Sequence, residues 1–310
     1  MSKETIGVLV MSYGTPESMD QVEEYYTHIR RGNPPTKEQL DELEERYEAI
    51  GGFFPLRQNT NRQVEALQAL LNEDHASEYN FVCYQGLKHA RPYIEDGVKQ
   101  MAADGIKRAV SIVLAPHYSV MSIGTYNKRA HETAQEVGID LLSVDSYHLH
   151  PALIDAHVDR VNESLAQFEG NKESVRLIFT AHSLPERILE MNDPYVDQMH
   201  ETSNAIAKRV GTANWQFAWQ SAGQTAMPWL GPDILDVLEK INKEEQVDKV
   251  LICPIGFVSD HLEILYDIDI ECKDLAQKLG MHLERTRSLN TDPQYIEVLT
   301  DSVYSKIEKE

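Results

Sequence analysis

The run Ile6-Gly-Val-Leu-Val-Met-Ser12 constrains the fold more than any other stretch of the chain. It is continuously apolar and stops at Tyr13-Gly-Thr-Pro16. A strand with one wet face alternates apolar and polar residues, whereas an unbroken run bounded by turn residues reads as a strand buried on both faces. Such strands occur in parallel sheets, whose crossover helices cover both faces. The signal recurs, with strands expected at residues 79–85, 109–115 and 140–144. Helical patterns fall around them, at 17–31 (closed by Arg30-Arg31-Gly-Asn-Pro-Pro), 36–50, 61–72, 92–105 and 126–137. Thr36 is the expected cap of its helix and Gly51-Gly52 the stop.

The second half repeats the first in outline. Val175-Arg-Leu-Ile-Phe-Thr-Ala181 followed by His182-Ser-Leu-Pro185 matches the first strand and its Tyr13-Gly-Thr-Pro16 turn. Lys249-Val-Leu-Ile-Cys-Pro-Ile-Gly-Phe257 matches Val110 to Tyr118. Each pair sets a polar residue just past the carboxyl end of a buried strand, where open α/β sheets bind ligands. We therefore expect an α/β protein of two similar halves, 1–150 and 151–310, each a parallel sheet flanked by helices. A cleft is expected between them, with the joint near Glu169-Gly-Asn-Lys-Glu-Ser.

At 310 residues, 42% hydrophobic and 25% charged, the chain has the length and composition to bury sizeable cores. Its formal net charge of −21 argues against nucleic-acid or anionic-membrane partners, which demand a basic surface. The opening Met1-Ser-Lys-Glu-Thr lacks the apolar region of a secretion signal. No apolar stretch reaches the ~18 residues of a spanning helix. Cys83, Cys253 and Cys272 are far apart, odd in number and in no CxxC pair, as in a reduced cytosol. A cytoplasmic location is expected.

Residues 259–272, read as an α-helix, set Asp260, Glu263, Asp267 and Glu271 at i, i+3, i+7 and i+11 on one face. Like charges one turn apart repel by a few tenths of a kcal/mol, so helix physics alone does not favour the row. A bound metal ion would favour it; the other reading is a solvated face of a very acidic protein. His182, at the carboxyl edge of its sheet, could accept a proton or bind a transition metal. His182 and Glu263 are expected from equivalent halves, facing each other across the cleft. One nitrogen and several oxygens suit a borderline divalent ion such as Fe²⁺. Phosphate loops of the GxGxxG or GK[ST] kind are absent, as is GxSxG. Tyr13, Tyr25, Tyr26, Arg30, Arg31, Arg46, Tyr47, Phe53 and Phe54 gather near turns. Tyrosine and arginine suit a flat carboxylate-bearing ligand, although the same residues serve equally as helix caps and core.

Several phrases carry a specific resemblance: Gly7-Val-Leu-Val-Met-Ser-Tyr-Gly-Thr-Pro16, Tyr25-Tyr-Thr-His-Ile-Arg-Arg-Gly32, Arg46-Tyr-Glu-Ala-Ile-Gly-Gly52 and Gly86-Leu-Lys-His89. To these add Val113-Leu-Ala-Pro-His-Tyr-Ser119, Thr180-Ala-His-Ser-Leu-Pro185, Pro228-Trp-Leu-Gly-Pro-Asp233 and Gly256-Phe-Val-Ser-Asp-His-Leu-Glu263. In this order they resemble the ferrochelatase family, and most closely its soluble Gram-positive type acting on coproporphyrin III. The resemblance implies a chelatase fold of Rossmann-like halves with a porphyrin cleft, and insertion of ferrous iron with release of both pyrrole protons. It implies His182 and Glu263 as the inner metal and proton-accepting pair. Asp267 and Glu271 would continue outward as a relay or second cation site, Mg²⁺ being the candidate ion, with Arg46 nearby. Tyr13 would sit near the ring centre, Arg30, Arg46, Tyr47 and Tyr126 would line the cleft, and Lys88 and Trp229 would join them. The implied partners are the porphyrin, ferrous iron and, transiently, enzymes of haem synthesis; a monomer without membrane insertion or iron–sulfur cluster is implied.

The chain departs from the family pattern at four places. Phe54 stands where serine is expected, which removes a hydroxyl contact to substrate or product. Ala222 stands where glutamate is expected, and Ile268 and Ile270 interrupt a usually more polar run. Protoporphyrin IX as substrate, a cobalt or nickel chelatase acting on a related tetrapyrrole, and a non-catalytic porphyrin or haem carrier are the alternatives.

Overall fold

The computed structural model describes residues 3–75, 78–223 and 225–308. Among the described residues there are eight strands and ten α-helices. In the first part these are β1 Glu4–Ser12, α1 Val22–Ile29, α2 Lys37–Ala49, α3 Pro55–Asp74, β2 Tyr79–Leu87, α4 Ile94–Ala103, β3 Arg108–Val113, α5 Ile123–Val137 and β4 Asp140–Val144. In the second they are α6 Pro151–Leu165, β5 Arg176–His182, α7 Tyr195–Val210, β6 Trp215–Gln220, α8 Ile234–Glu245, β7 Lys249–Cys253, α9 Lys273–Lys278, β8 His282–Arg285 and α10 Pro293–Glu308. A π-helix, Ile264–Cys272, precedes α9.

All pairings between strands are parallel, in two sheets of order β2-β1-β3-β4 and β6-β5-β7-β8. The two orders are equivalent, so the internal repeat expected from the sequence is a repeat of topology. β1 and β5 hold the same interior place. Ile6, Val8, Leu9, Val10 and Met11 are fully buried, as a strand covered on both faces requires.

The chain divides into one unit of Met1–Tyr147 with Asn290–Glu310, and a second of His148–Leu289. The expected halves, 1–150 and 151–310, therefore miss one feature. α10 returns to the first unit, where it packs on α3, β3 and β4, burying Tyr295, Val298, Leu299 and Val303. In the first unit, α4 and α5 cover one sheet face with Ile94, Val98, Met101, Tyr126 and Ala130 against Leu9, Met11 and Val113. In the second, α8, α9 and the π-helix cover β5, β7 and β8 through Ile178, Ile234, Leu238, Ile252, Ile268 and Cys272.

Local signals explain most boundaries. Thr36 Oγ1 accepts from the Gln39 amide while Gln39 Oε1 accepts from the Thr36 amide, a reciprocal cap at the start of α2. The helix expected at 17–31 is shorter, because Met19–Gln21 form a 3₁₀ turn before α1. α3 begins at Pro55, well before residue 61, since proline suits the first helical position. β7 stops at Cys253, because Pro254 follows and has no amide to donate. No helix among the described residues is long and apolar enough to cross a membrane.

Candidate active site

In the second unit, His182 is the last residue of β5. The chain leaving β7 turns back onto β5, where the Gly256 amide donates to the Thr180 carbonyl at 3.1 Å. A Cβ on Gly256 would lie 2.4 Å from Ala181 Cβ, so only glycine permits this approach. The turn then delivers Glu263 to His182: Nε2 of His182 lies 3.5 Å from Glu263 Oε1. The other oxygen, Oε2, lies 3.4 Å from Nε2 of His261. The expectation that His182 and Glu263 come from opposite halves is corrected here, because both belong to the second unit.

Both imidazoles are oriented the same way. His182 Nδ1 contacts the Ser183 carbonyl and His261 Nδ1 the Ser259 carbonyl at 2.9 Å. A carbonyl only accepts, so each Nδ1 carries a proton. Each Nε2 therefore presents a lone pair when the ring is neutral and an N–H to Glu263 when it is charged. Burial opposes the charge on His182, but the Glu263 carboxylate, the Ser183 carbonyl and Asp267 outweigh it and raise the pKa to about 9. Burial pushes Glu263 the other way, yet the two histidines hold it well below the usual carboxylate range. At neutral pH the resting pair is an imidazolium and a carboxylate.

The frame around the pair is hydrogen-bonded. Tyr195 Oη donates to the His182 carbonyl at 3.0 Å. Fully buried Gln220 donates to the Glu263 carbonyl at 3.2 Å and accepts from Thr180 Oγ1 at 2.8 Å. Trp229 and Phe257 each stand with ring centroids 6.4 Å from His182. Trp229 lies against Gly223 and donates to Thr225 Oγ1 at 2.9 Å.

The acidic row survives in altered form. Its segment is π-helical from Ile264, with i→i+5 bonding, rather than α-helical from 259. Asp260 is diverted from the row, accepting from Ser288 Oγ at 2.7 Å beside the Arg285 guanidinium. Glu263, Asp267 and Glu271 remain at a spacing of four. Glu263 is half-buried and Asp267, which accepts from Ser221 Oγ, is 6% exposed. Glu271 is exposed, so the row ends at solvent. Beside it Ile264, Ile268 and Cys272, all fully buried, face the core, which accounts for Ile268 as a packing residue. Among the described residues no group of three or more His, Cys, Asp or Glu side chains is placed to hold a metal together.

The first unit presents its expected residues unequally. Tyr13 directly follows β1, is 42% exposed, and has its ring 4.6 Å from that of His89. Gly14 follows at φ +80°, hemmed in by Leu87 and Ala90, as this turn requires. His89 Nδ1 meets His28 Nδ1 at 3.0 Å, and His28 stacks on Tyr93. Lys88 Nζ lies 4.9 Å over the Tyr126 ring; burial, aided by Arg129, lowers its pKa to about 8. Arg30 is half-buried at the end of α1, donating to the Asn33 carbonyl at 3.2 Å. Arg46 is half-buried in the last turn of α2. Tyr47 and Tyr126 are only 2% and 4% exposed, so they belong to the core rather than to an open surface. Phe54 is the N-cap of α3, without a side-chain cap, and its ring packs on Tyr47 at 4.5 Å. Serine at that position would be a natural cap, so the departure trades a cap for aromatic packing.

Sequence reasoning missed His261, Ser221, Gln220 and Phe257. His261 and Phe257 stand inside the quoted phrase ending at Glu263, whereas Ser221 reaches Asp267 across 46 residues and has no local signal.

The ferrochelatase family model matches residues 5–307. The coproporphyrin III ferrochelatase of Halalkalibacterium halodurans is 46% identical over 312 residues, covering all of both chains. That of Anoxybacillus flavithermus is 47% identical, covering 100% of this chain and 99% of its own. Among solved structures, the sirohydrochlorin chelatase SirB from Bacillus subtilis subspecies spizizenii, in complex with cobalt, shares the fold with a TM-score of 0.58. It has 11% identity and covers 99% of this chain and 96% of its own. A family-model match over residues 5–307, with 46% identity to a relative over the whole length, means that this chain belongs to the ferrochelatase family.

Proposed function

We propose that the protein inserts ferrous iron into coproporphyrin III, giving iron-coproporphyrin III and releasing both pyrrole protons. The observation that carries this reading is the His182–Glu263 contact of 3.5 Å at the end of β5, with His261 on the second carboxylate oxygen. The relatives named above are coproporphyrin III ferrochelatases, which supports this substrate.

The chemistry follows from competition between protons and metal for the same atoms. An incoming dication neutralises Glu263 more strongly than the imidazolium does, so His182 would yield its Nε2 proton to solvent water and present a lone pair to the metal. As iron enters the ring, the pyrrole nitrogens lose their protons. Neutral His182 is a suitably typed acceptor, and Glu263, Asp267 and Glu271 form a path of carboxylates leading outward. Charge balances, since one dication enters the ring and two protons leave. Asp267 with exposed Glu271 is the proposed second cation site, for Mg²⁺ or waiting iron.

In the first unit, Tyr13, Arg30, Arg46 and Lys88 are the groups proposed to meet a flat anionic ring. In the second unit, Trp229, its ring centroid 6.4 Å from that of His182, is the proposed ring contact. Buried Tyr126 would support Lys88, which lies over its ring. The reading is tested by anaerobic Fe²⁺ insertion with coproporphyrin III and protoporphyrin IX in parallel. Faster turnover of coproporphyrin III is expected. Faster turnover of protoporphyrin IX, or a strong Co²⁺ preference with reduced corrin precursors, would replace it.

A further inference from the structure

Arg285 ends β8 and pairs with Ile252 in the β7–β8 ladder, so its backbone is fixed by the sheet. Its side chain is 12% exposed. Nε and Nη2 donate to Asp269 Oδ1 and Oδ2 at 3.0 and 2.7 Å, a two-pronged fork. Nη1 donates to the Thr286 carbonyl at 3.0 Å and lies 3.4 Å from Asp260 Oδ1. Asp260 precedes Glu263 by three residues and Asp269 follows it by six. One guanidinium thus grips the chain on both sides of Glu263.

This grip bears on a choice that the core leaves open. The buried stripe Ile264, Ile268 and Cys272 has a spacing of four, which an α-helix would bury as well. A π turn holds one residue more than an α turn and is rarely sustained. Closing one turn to α geometry would advance every later residue by one position, about 100° of rotation. Asp269 would then leave the Arg285 fork, and Asp267 would leave its contact with Ser221 Oγ. Lys273 Nζ, 3.4 Å from Asp269 Oδ1, is the other cation on this carboxylate, but it lies on the next helical turn and can move with it.

We infer that Arg285 is a positioning residue: its fork to Asp269, with Asp260 alongside, holds the π register that keeps Asp267 on Ser221 and so fixes its place after Glu263. The effect on rate rests on the chelatase reading above, whereas the clamp itself rests on the geometry of the second unit alone.

The test uses the full chain and two variants. Arg285→Lys keeps the charge but cannot fork. Arg285→Met combined with Asp269→Leu removes fork and carboxylate together, avoiding an orphaned buried charge. Both are compared with wild type by amide hydrogen exchange over residues 264–272 and by insertion kinetics with Fe²⁺ as the varied substrate. In each variant these amides should exchange at least ~10-fold faster relative to the rest of the unit. The KM for Fe²⁺ should rise on the order of tenfold, with the KM for porphyrin within about twofold of wild type. Wild-type exchange and KM in Arg285→Lys would overturn the inference, because charge alone would then suffice. It would also fall if activity declined only with the folded fraction while the KM for Fe²⁺ held. A wild-type chain that inserts no metal removes the chelatase reading, and the exchange data still decide the clamp.

Discussion

Glu263→Gln preserves the size of the side chain and removes the charge that two imidazoles face. In the wild type burial opposes a cation at His182, and the carboxylate overcomes that opposition, lifting the pKa from 6.5 to about 9. A raised pKa contributes stability that is complete below about pH 6.5 and is lost as pH climbs through about 9. At 1.36 kcal/mol per unit the gap corresponds to roughly 3.4 kcal/mol. Each side chain is 33% exposed, so water screens the pair. About 1–2 kcal/mol should remain, or a melting-temperature difference of about 3–6 °C. Thermal melts of both proteins at about pH 6, 8 and 10 provide the assay. The variant should melt lower at the acidic end, and the gap should close or reverse at the alkaline end, where a neutral His182 leaves Glu263 a poorly compensated carboxylate. Insertion should fall by ~10²-fold or more with the fold retained. A melting gap independent of pH would refute the coupling, and near-normal insertion would refute the catalytic role of Glu263.

Three further predictions concern other parts of the molecule. Asp267→Ala and Glu271→Ala should slow insertion severalfold at scarce metal and little at saturating metal, read from Fe²⁺-dependent kinetics; equal losses at both would remove the delivery role. His157 is 4% exposed, and burial, with Arg160, lowers its pKa to about 3. The unfolded chain therefore binds a proton that the folded chain refuses, and stability should fall by up to about 1.4 kcal/mol per pH unit from about 6.5 downward. Urea midpoints should show His157→Leu closing on wild type as pH falls, and parallel curves would contradict this. Phe54→Ser should regain a cap of about 1 kcal/mol and lose buried aromatic packing of about 3 kcal/mol, a net loss near 2 kcal/mol by urea unfolding; a more stable variant would contradict the packing account.

The four strands of the first sheet, β5 and β7 were legible because parallel strands buried on both faces read as continuous apolar runs, whereas β6 and β8, with polar residues among the apolar ones, were not; Thr36 announced its helix through a local cap. His182 was legible for the same reason, since the end of such a strand marks its position. The acidic row was legible as spacing but not as geometry. A stripe at intervals of four cannot separate π from α, and Asp260 is drawn aside by Arg285 from 25 residues away. The return of α10 to the first unit is set by tertiary packing that no local pattern announces. Tyr47 and Tyr126 illustrate the ambiguity of aromatic residues near turns, which serve a core as readily as a binding surface. Ile268 is a core residue, and Phe54 is packed on Tyr47 in the first unit. Packing accounts for both residues, so neither departure gives support to a non-catalytic carrier.

The most direct measurement is anaerobic Fe²⁺ insertion followed by Soret and Q-band changes, with wild type and His182→Ala, on coproporphyrin III and protoporphyrin IX. The account predicts that wild type metallates coproporphyrin III faster than protoporphyrin IX, and that His182→Ala binds the porphyrin without metallating it. Porphyrin binding without insertion by wild type, or undiminished turnover by His182→Ala, would contradict it.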